Sequence, residues 1–110
     1  MKKIILLILL VGLSSLTFIS ENKEHKCTAT WYDTKPHPKV RREYSTAAFN
    51  RYDKGTKLIV KNITNNKIDT VEITDRNGCG YNHIDLSKES FNKISDHKLG
   101  RIKVIVKKVI

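Results

Sequence analysis

Residues 71–87 read Val71-Glu72-Ile73-Thr74-Asp75-Arg76-Asn77-Gly78-Cys79-Gly80-Tyr81-Asn82-His83-Ile84-Asp85-Leu86-Ser87. Val71 and Ile73 alternate with Glu72 and Thr74, the period-two pattern of a half-buried strand. Asp75 falls in phase with the apolar pair, so the face that enters a core ends in a carboxylate. Gly78 and Gly80 break the strand into a tight loop. The loop is expected to close on His83-Ile84-Asp85, with Leu86-Ser87 opening a short helix. Asp75 and Asp85 thus stand ten residues apart at the two ends of one glycine-rich loop. They are expected to face each other across a groove, and the chemistry is expected there.

Outward from this stretch the pattern stays mostly β. Gly55 launches Lys57-Leu58-Ile59-Val60-Lys61-Asn62-Ile63, and Thr64-Asn65-Asn66-Lys67 is turn chemistry before Ile68 begins the returning strand, so the pair is expected to form a hairpin. On the other side, Ser87 suits the N-cap of a helix over 88–95, with Glu89 favourable in its first turn. Leu86 and Phe91 have the spacing of a hydrophobic staple. A last strand over 101–110 puts Ile102, Val104 and Val106 on one face. Nearer the N-terminus, Cys27-Thr28-Ala29-Thr30-Trp31-Tyr32 alternates again, with Ala29 and Trp31 on one face and Thr28, Thr30 and Tyr32 on the other. Trp31 is expected in the core and Tyr32 against a ligand. Residues 33–42, with Pro36 and Pro38, read as a basic loop, and residues 44–50 as a short helical turn capped by Ser45 or Thr46. Lys57–Ile63 also aligns without gaps to Lys103–Val109, the echo expected of a barrel made from two related halves.

Met1-Lys2-Lys3 followed by the uncharged run Ile4 to Leu13 reads as a secretory leader, too short for a membrane span of about 20 residues. The chain divides into a leader and short N-terminal segment, 1–26, and one small domain, 27–110. An uncleaved anchor is the alternative. Of the 21 Lys and Arg, losing Lys2 and Lys3 leaves 19 against 11 Asp and Glu, a net charge of +8. A basic exported domain suits an anionic polymer. Export also suggests an oxidising compartment, where Cys27 and Cys79 are expected to pair as a disulfide. A metal site built on Cys79, His83 and another His, or two free thiols, is the competing reading.

Thr28-Ala29-Thr30-Trp31-Tyr32, Ser45-Thr46-Ala47-Ala48, Gly55-Thr56-Lys57-Leu58, Thr74-Asp75-Arg76 and Ile84-Asp85-Leu86-Ser87 occur in the order found in rare-lipoprotein-A-like proteins, and the chain resembles that family over nearly its whole mature length. His83-Ile84-Asp85-Leu86-Ser87 is also similar to the His-Phe-Asp motif of expansins. The resemblance implies an all-β fold, a six-stranded double-psi β-barrel with one or two short helices. It implies a cell-wall polysaccharide site that either cleaves peptidoglycan by lytic transglycosylation or, as in expansins, binds wall polymers without evident hydrolysis. The chain departs from the enzymes at Phe49, where they usually carry His, and at Asn77-Gly78, where the family has Gly-Pro.

Lytic transglycosylation needs one carboxylic acid that protonates the glycosidic oxygen and then takes a proton from the sugar's own C6 hydroxyl, with no water to position. The expected acid/base is Asp75, with Asp85 sustaining its protonated state or orienting the sugar. Thr28, Tyr32, Asn50, Arg76, Tyr81 and His83 are the expected cleft lining. No cofactor or metal is expected. The expected partner is peptidoglycan or another anionic wall polysaccharide, met by a monomer in the periplasm, in the cell envelope or outside the cell. A protein or nucleic-acid partner is the weaker alternative.

Overall fold

The computed structural model describes residues 23–34 and 45–110. The expected leader up to residue 22 and the proline-containing loop from 35 onward lie outside the described residues. Six strands form a closed barrel: β1 (Glu24–Tyr32), β2 (Thr46–Ala48), β3 (Lys57–Asn62), β4 (Ile68–Asp75), β5 (His83–Ser87) and β6 (Ile102–Lys108). One helix, α1 (Lys88–Ile94), and a 3-10 turn, His97–Leu99, lie between β5 and β6.

Around the barrel the order is β1-β5-β2-β4-β3-β6, with β6 closing on β1. The β1/β5 and β2/β4 pairs are parallel and the other four are antiparallel. Exchanging β1 with β4, β2 with β5 and β3 with β6 maps this order onto itself. The barrel is therefore two interlocked halves about a pseudo-two-fold axis, the double-psi arrangement. The echo in the sequence is its trace: β3 and β6 lie antiparallel, and the equivalent Val60 and Val106 face each other in register.

The alternating strands follow from their side chains. In β3, Leu58, Val60 and Asn62 point inward while Lys57, Ile59 and Lys61 face out. The hairpin of β3 and β4 forms as expected, with Asn66 at φ 62° in its turn, a conformation that Asn tolerates. Val104 and Val106 are buried in β6, with Ile102 packed against the core. Three readings are corrected. Residues 24–26, expected to precede the domain's first strand, join β1, with His25 buried and its Nε2 2.8 Å from the Tyr52 hydroxyl. Thr46–Ala48 is a strand, not a helical turn: the small Ala47 and Ala48 let it lie between β4 and β5, and this pairing overrides alanine's helix preference. His83–Ser87 is also a strand, with Ile84 and Leu86 inward, where a loop and helix start were expected.

The helix begins where its cap dictates. Ser87 Oγ accepts the Ser90 N–H at 3.2 Å and also the Thr46 N–H at 3.3 Å. Leu86 and Phe91, the expected staple, are both fully buried. Ser87→Ala is expected to cost about 1 kcal/mol as a lost cap. The loss rises toward 2 because the buried Thr46 N–H is orphaned as well. Urea unfolding reads it as a lower midpoint at unchanged slope.

Trp31 is only partly buried. It stands at the barrel end, donating Nε1–H to the His97 carbonyl at 2.8 Å, with the Lys88 ammonium 5.3 Å from its ring centroid. Cys27 and Cys79 are both free, so the expected disulfide is not formed. The inward phase of β1 buries Cys27, whereas Cys79 is exposed on the glycine-rich loop. Burial pushes the Cys27 thiol up from its ordinary value, partly offset by the Arg51 charge. The closed hydrophobic barrel stands in the place expected for a covalent staple.

Candidate functional site

The outward face of β1 carries Thr28, Thr30 and Tyr32, and parallel β5 brings His83 and Asp85 beside them. Thr30 donates its hydroxyl proton to Asp85 Oδ1 at 3.0 Å. A hydroxyl has one proton, so the 2.8 Å contact between Thr30 Oγ1 and His83 Nε2 is an N–H donated by the imidazole. The result is a relay from His83 through Thr30 to Asp85. Burial pushes the Asp85 carboxyl up from its ordinary value, opposed by the Thr30 hydrogen bond and by His83. A carboxylic acid whose hold on its proton is strengthened by burial, beside a hydroxyl–imidazole chain, is equipped to give that proton up and receive one back.

Farther along the same row, the Tyr32 hydroxyl lies 2.6 Å from Thr46 Oγ1. Burial raises the Tyr32 phenol, with hydrogen bonds from Thr46 and Thr74 opposing and the charges of Asp85 and Glu89 adding to the rise. Buried Thr34 donates to Glu89 Oε1 at 2.7 Å, while the other Glu89 oxygen is buried with no partner among the described residues. Hydroxyls and acids thus continue from Thr30 to the start of α1.

Asp75 stands elsewhere in this arrangement. Ala48 of β2 is in register with Asp85 on one side and Asp75 on the other, so the two aspartates are two strand spacings apart, about 10 Å between Cα atoms. Asp75 is exposed at the end of β4, its Oδ1 accepting the Arg76 N–H at 2.8 Å. The mutual repulsion expected to protonate one aspartate is not among the causes acting on Asp85, whose shift comes first from burial.

The glycine-rich loop is held by side chains expected to line the cleft. Asn50 Nδ2 donates to the carbonyls of Asn77 at 2.8 Å and Gly80 at 3.0 Å, and its Oδ1 accepts the Asn77 N–H at 2.9 Å. Arg76 donates from Nη1 to the carbonyls of Phe49 at 2.7 Å and Tyr52 at 2.6 Å, steadying Tyr52 at φ 66°. Asn77 donates to the carbonyls of Ala48 and His83 at 2.9 and 3.1 Å. Arg51 donates to the Tyr81 carbonyl at 2.9 Å and sits 5.6 Å from the exposed Tyr81 ring centroid. Thr28 accepts from Lys103 Nζ at 2.9 Å at the other end of the row.

Of the expected residues, Thr28, Tyr32, His83 and Asp85 therefore share one face. Asn50 and Arg76 fasten the loop, and Tyr81 and Cys79 are exposed on it. Sequence reading missed Thr30, Thr46, Thr74 and Glu89. Thr30 had a signal, the shared phase with Thr28 and Tyr32; the others become neighbours only through the barrel's pairing. Among the described residues, no group of three or more His, Cys, Asp or Glu is placed to hold a metal ion. Nor is any helix among them long and apolar enough to cross a membrane.

No family model matches the sequence, and no curated protein matches it. Solved structures do. An aspartate-to-asparagine variant of the Clavibacter michiganensis expansin in complex with cellohexaose superposes with a TM-score of 0.68 at 22% identity, over 80% of this chain and 51% of that one. The apo expansin from Clavibacter michiganensis gives a TM-score of 0.65 at 23% identity over the same shares. A Streptomyces papain inhibitor gives 0.65 at 20% identity, over 80% of this chain and 96% of that one. The chain thus spans about half the length of the expansin structures it matches. These likenesses show the double-psi barrel fold.

Proposed function

We propose that the protein is an exported cell-wall protein that binds a polysaccharide along the outward row of β1 and cleaves it by lytic transglycosylation. The observation that carries this reading is the His83–Thr30–Asp85 relay, with the Asp85 carboxyl raised by burial. The expansin bound to cellohexaose supports a glycan ligand for a barrel of this shape. The resemblance to rare-lipoprotein-A-like proteins supports peptidoglycan as the polymer.

In this mechanism Asp85, not Asp75, is the acid/base. Its proton passes to the glycosidic oxygen as the C1–O bond breaks. The C6 hydroxyl of the same sugar then bonds to C1, its proton returning to the Asp85 carboxylate, so a 1,6-anhydro end forms and no water is consumed. Thr30 and His83 steady the carboxylate between the two transfers by charge-assisted hydrogen bonding. Thr28 and Tyr32 position the strand, the protein acts as a monomer, and no cofactor takes part.

A protease-binding role is the second reading, favoured by the extent of the match to the papain inhibitor, of which this chain covers 96%. Incubating the mature protein with sacculi, intact and stripped of stem peptides, followed by mass spectrometry of soluble products, tests the first. Anhydro-sugar ends are the expected result. Protein retained on sacculi without soluble products would reduce the function to binding, and papain inhibition without retention would replace it by the second reading.

A further inference from the structure

The outward row of β1 does not end at Thr30. Two residues back, about 7 Å along the strand, Thr28 opens into a separate pocket of about 370 Å³. Its walls are Lys26, Cys27, Thr28, Ile63, Asn82 and Lys103. Lys103 stands opposite Thr28 in the β1/β6 pair, and its Nζ is pinned by the 2.9 Å bond to the Thr28 hydroxyl. Arg51 donates to Asn82 Oδ1 at 2.9 Å, which leaves the Asn82 NH2 as that side chain's remaining polar group. Lys26, Lys103, the Asn82 amide and the Thr28 hydroxyl therefore line the space together with the apolar Cys27 and Ile63, and no carboxylate lines it. The nearest carboxylate on this face of β1 is Glu24, one pleat beyond Lys26 and in register with Lys107.

A donor-rich, cationic recess repels cations and leaves a neutral hydroxyl undistinguished from water, but it rewards a compact anion with charge-assisted hydrogen bonds. We propose that this pocket takes an anionic group, a carboxylate or a phosphate, carried by the wall polymer that lies along β1, and so selects an acidic polymer over a neutral one. The inference rests on the polysaccharide reading above and extends it to the class of polymer. Thr28 is the shared residue: paired with His83 through the β1/β5 register and bonded to Lys103, it joins the pocket to the relay.

Isothermal titration calorimetry with three ligands tests it: glycan strands with free lactyl carboxylates, the same strands with those carboxylates amidated, and poly(glycerol phosphate). The protein is expected to bind its acidic ligand at least about tenfold more tightly than amidated strands, a difference of about 1.4 kcal/mol. In the Lys26→Gln/Lys103→Gln variant the preference is expected to vanish while affinity for amidated strands stays. Lys67→Gln/Lys98→Gln, which removes the same charge at exposed positions outside the pocket lining, is expected to keep it. Preference for carboxylated strands assigns a carboxylate. Preference for poly(glycerol phosphate), lost in the pocket variant while both kinds of strand bind alike, assigns a phosphate. A preference that survives Lys26→Gln/Lys103→Gln, or falls equally in the remote pair, overturns the pocket. Equal binding of all three ligands overturns it while the polysaccharide reading stands, and no binding of any overturns both.

Discussion

Asp85→Asn is expected to abolish glycan cleavage and, at neutral pH, to make the protein more stable. Removing the acid that both gives and receives the proton should lower the rate by about 10²–10⁴-fold. The stability change follows from the same burial. The Asp85 carboxyl is pushed up in the folded state, so folding favours its protonated form. That contribution is fully present below the unfolded-state value and is lost as pH rises through the folded one. Near neutrality the wild-type chain keeps a half-buried carboxylate at a cost, which asparagine removes while its side-chain oxygen still accepts the Thr30 hydroxyl. Melting temperatures should therefore favour the variant at pH 7 and converge when Asp85 is protonated in both states, at acid pH. A variant less stable at pH 7 than wild type would show that the carboxylate is a structural anchor. Unchanged release of anhydro ends would remove Asp85 from the mechanism.

Phe49→Ala is expected to cost about 3–5 kcal/mol, the range for emptying a buried aromatic site. Total stability for a small domain is about 5–15 kcal/mol, so this single change consumes a large part of it. Phe49 is fully buried directly after β2, its N–H donates to the Asp75 carbonyl at 2.9 Å and its own carbonyl accepts from Arg76. The cavity would open under the segment to which Arg76 and Asn50 tie the glycine-rich loop. Denaturant unfolding should show a sharply lower midpoint, with loss of glycan retention near the transition. Phe49→His makes a sharper comparison, since the resemblance places histidine here in the enzymes. In this chain the imidazole would enter the core without a partner, at about 1–3 kcal/mol, and cleavage should not rise. A gain in cleavage would show that residue 49 reaches the reacting sugar.

Most of the barrel could be read from local pattern. The β3/β4 hairpin, β6 and the capped helix α1 each declare themselves within about ten residues, because period-two alternation, turn chemistry and an N-cap are local properties. The resemblance added the closure that no local pattern contains. Thr46–Ala48 is too short to show a period, and His83–Ser87, which does alternate, is masked by the glycine-rich loop before it and the N-cap signal of Ser87 at its end. Their strand character comes from neighbours: Ala47 and Ala48 from β4 and β5, His83 and Asp85 from β1.

The site divides along the same line. From the residues came the alternation that puts Thr28, Thr30 and Tyr32 on one face, the two aspartates bracketing a glycine-rich loop, and a basic chain suited to an acidic polymer. Only the tertiary structure decided which aspartate is half-buried and which exposed, which polar residues merely fasten the loop, and that the two cysteines stay apart. The reason is sequence distance. Thr30 meets His83 and Asp85 across separations of 53 and 55 residues, and Lys103 meets Thr28 across 75. A side chain's environment, and with it the proton on Asp85, exists only once the barrel has closed.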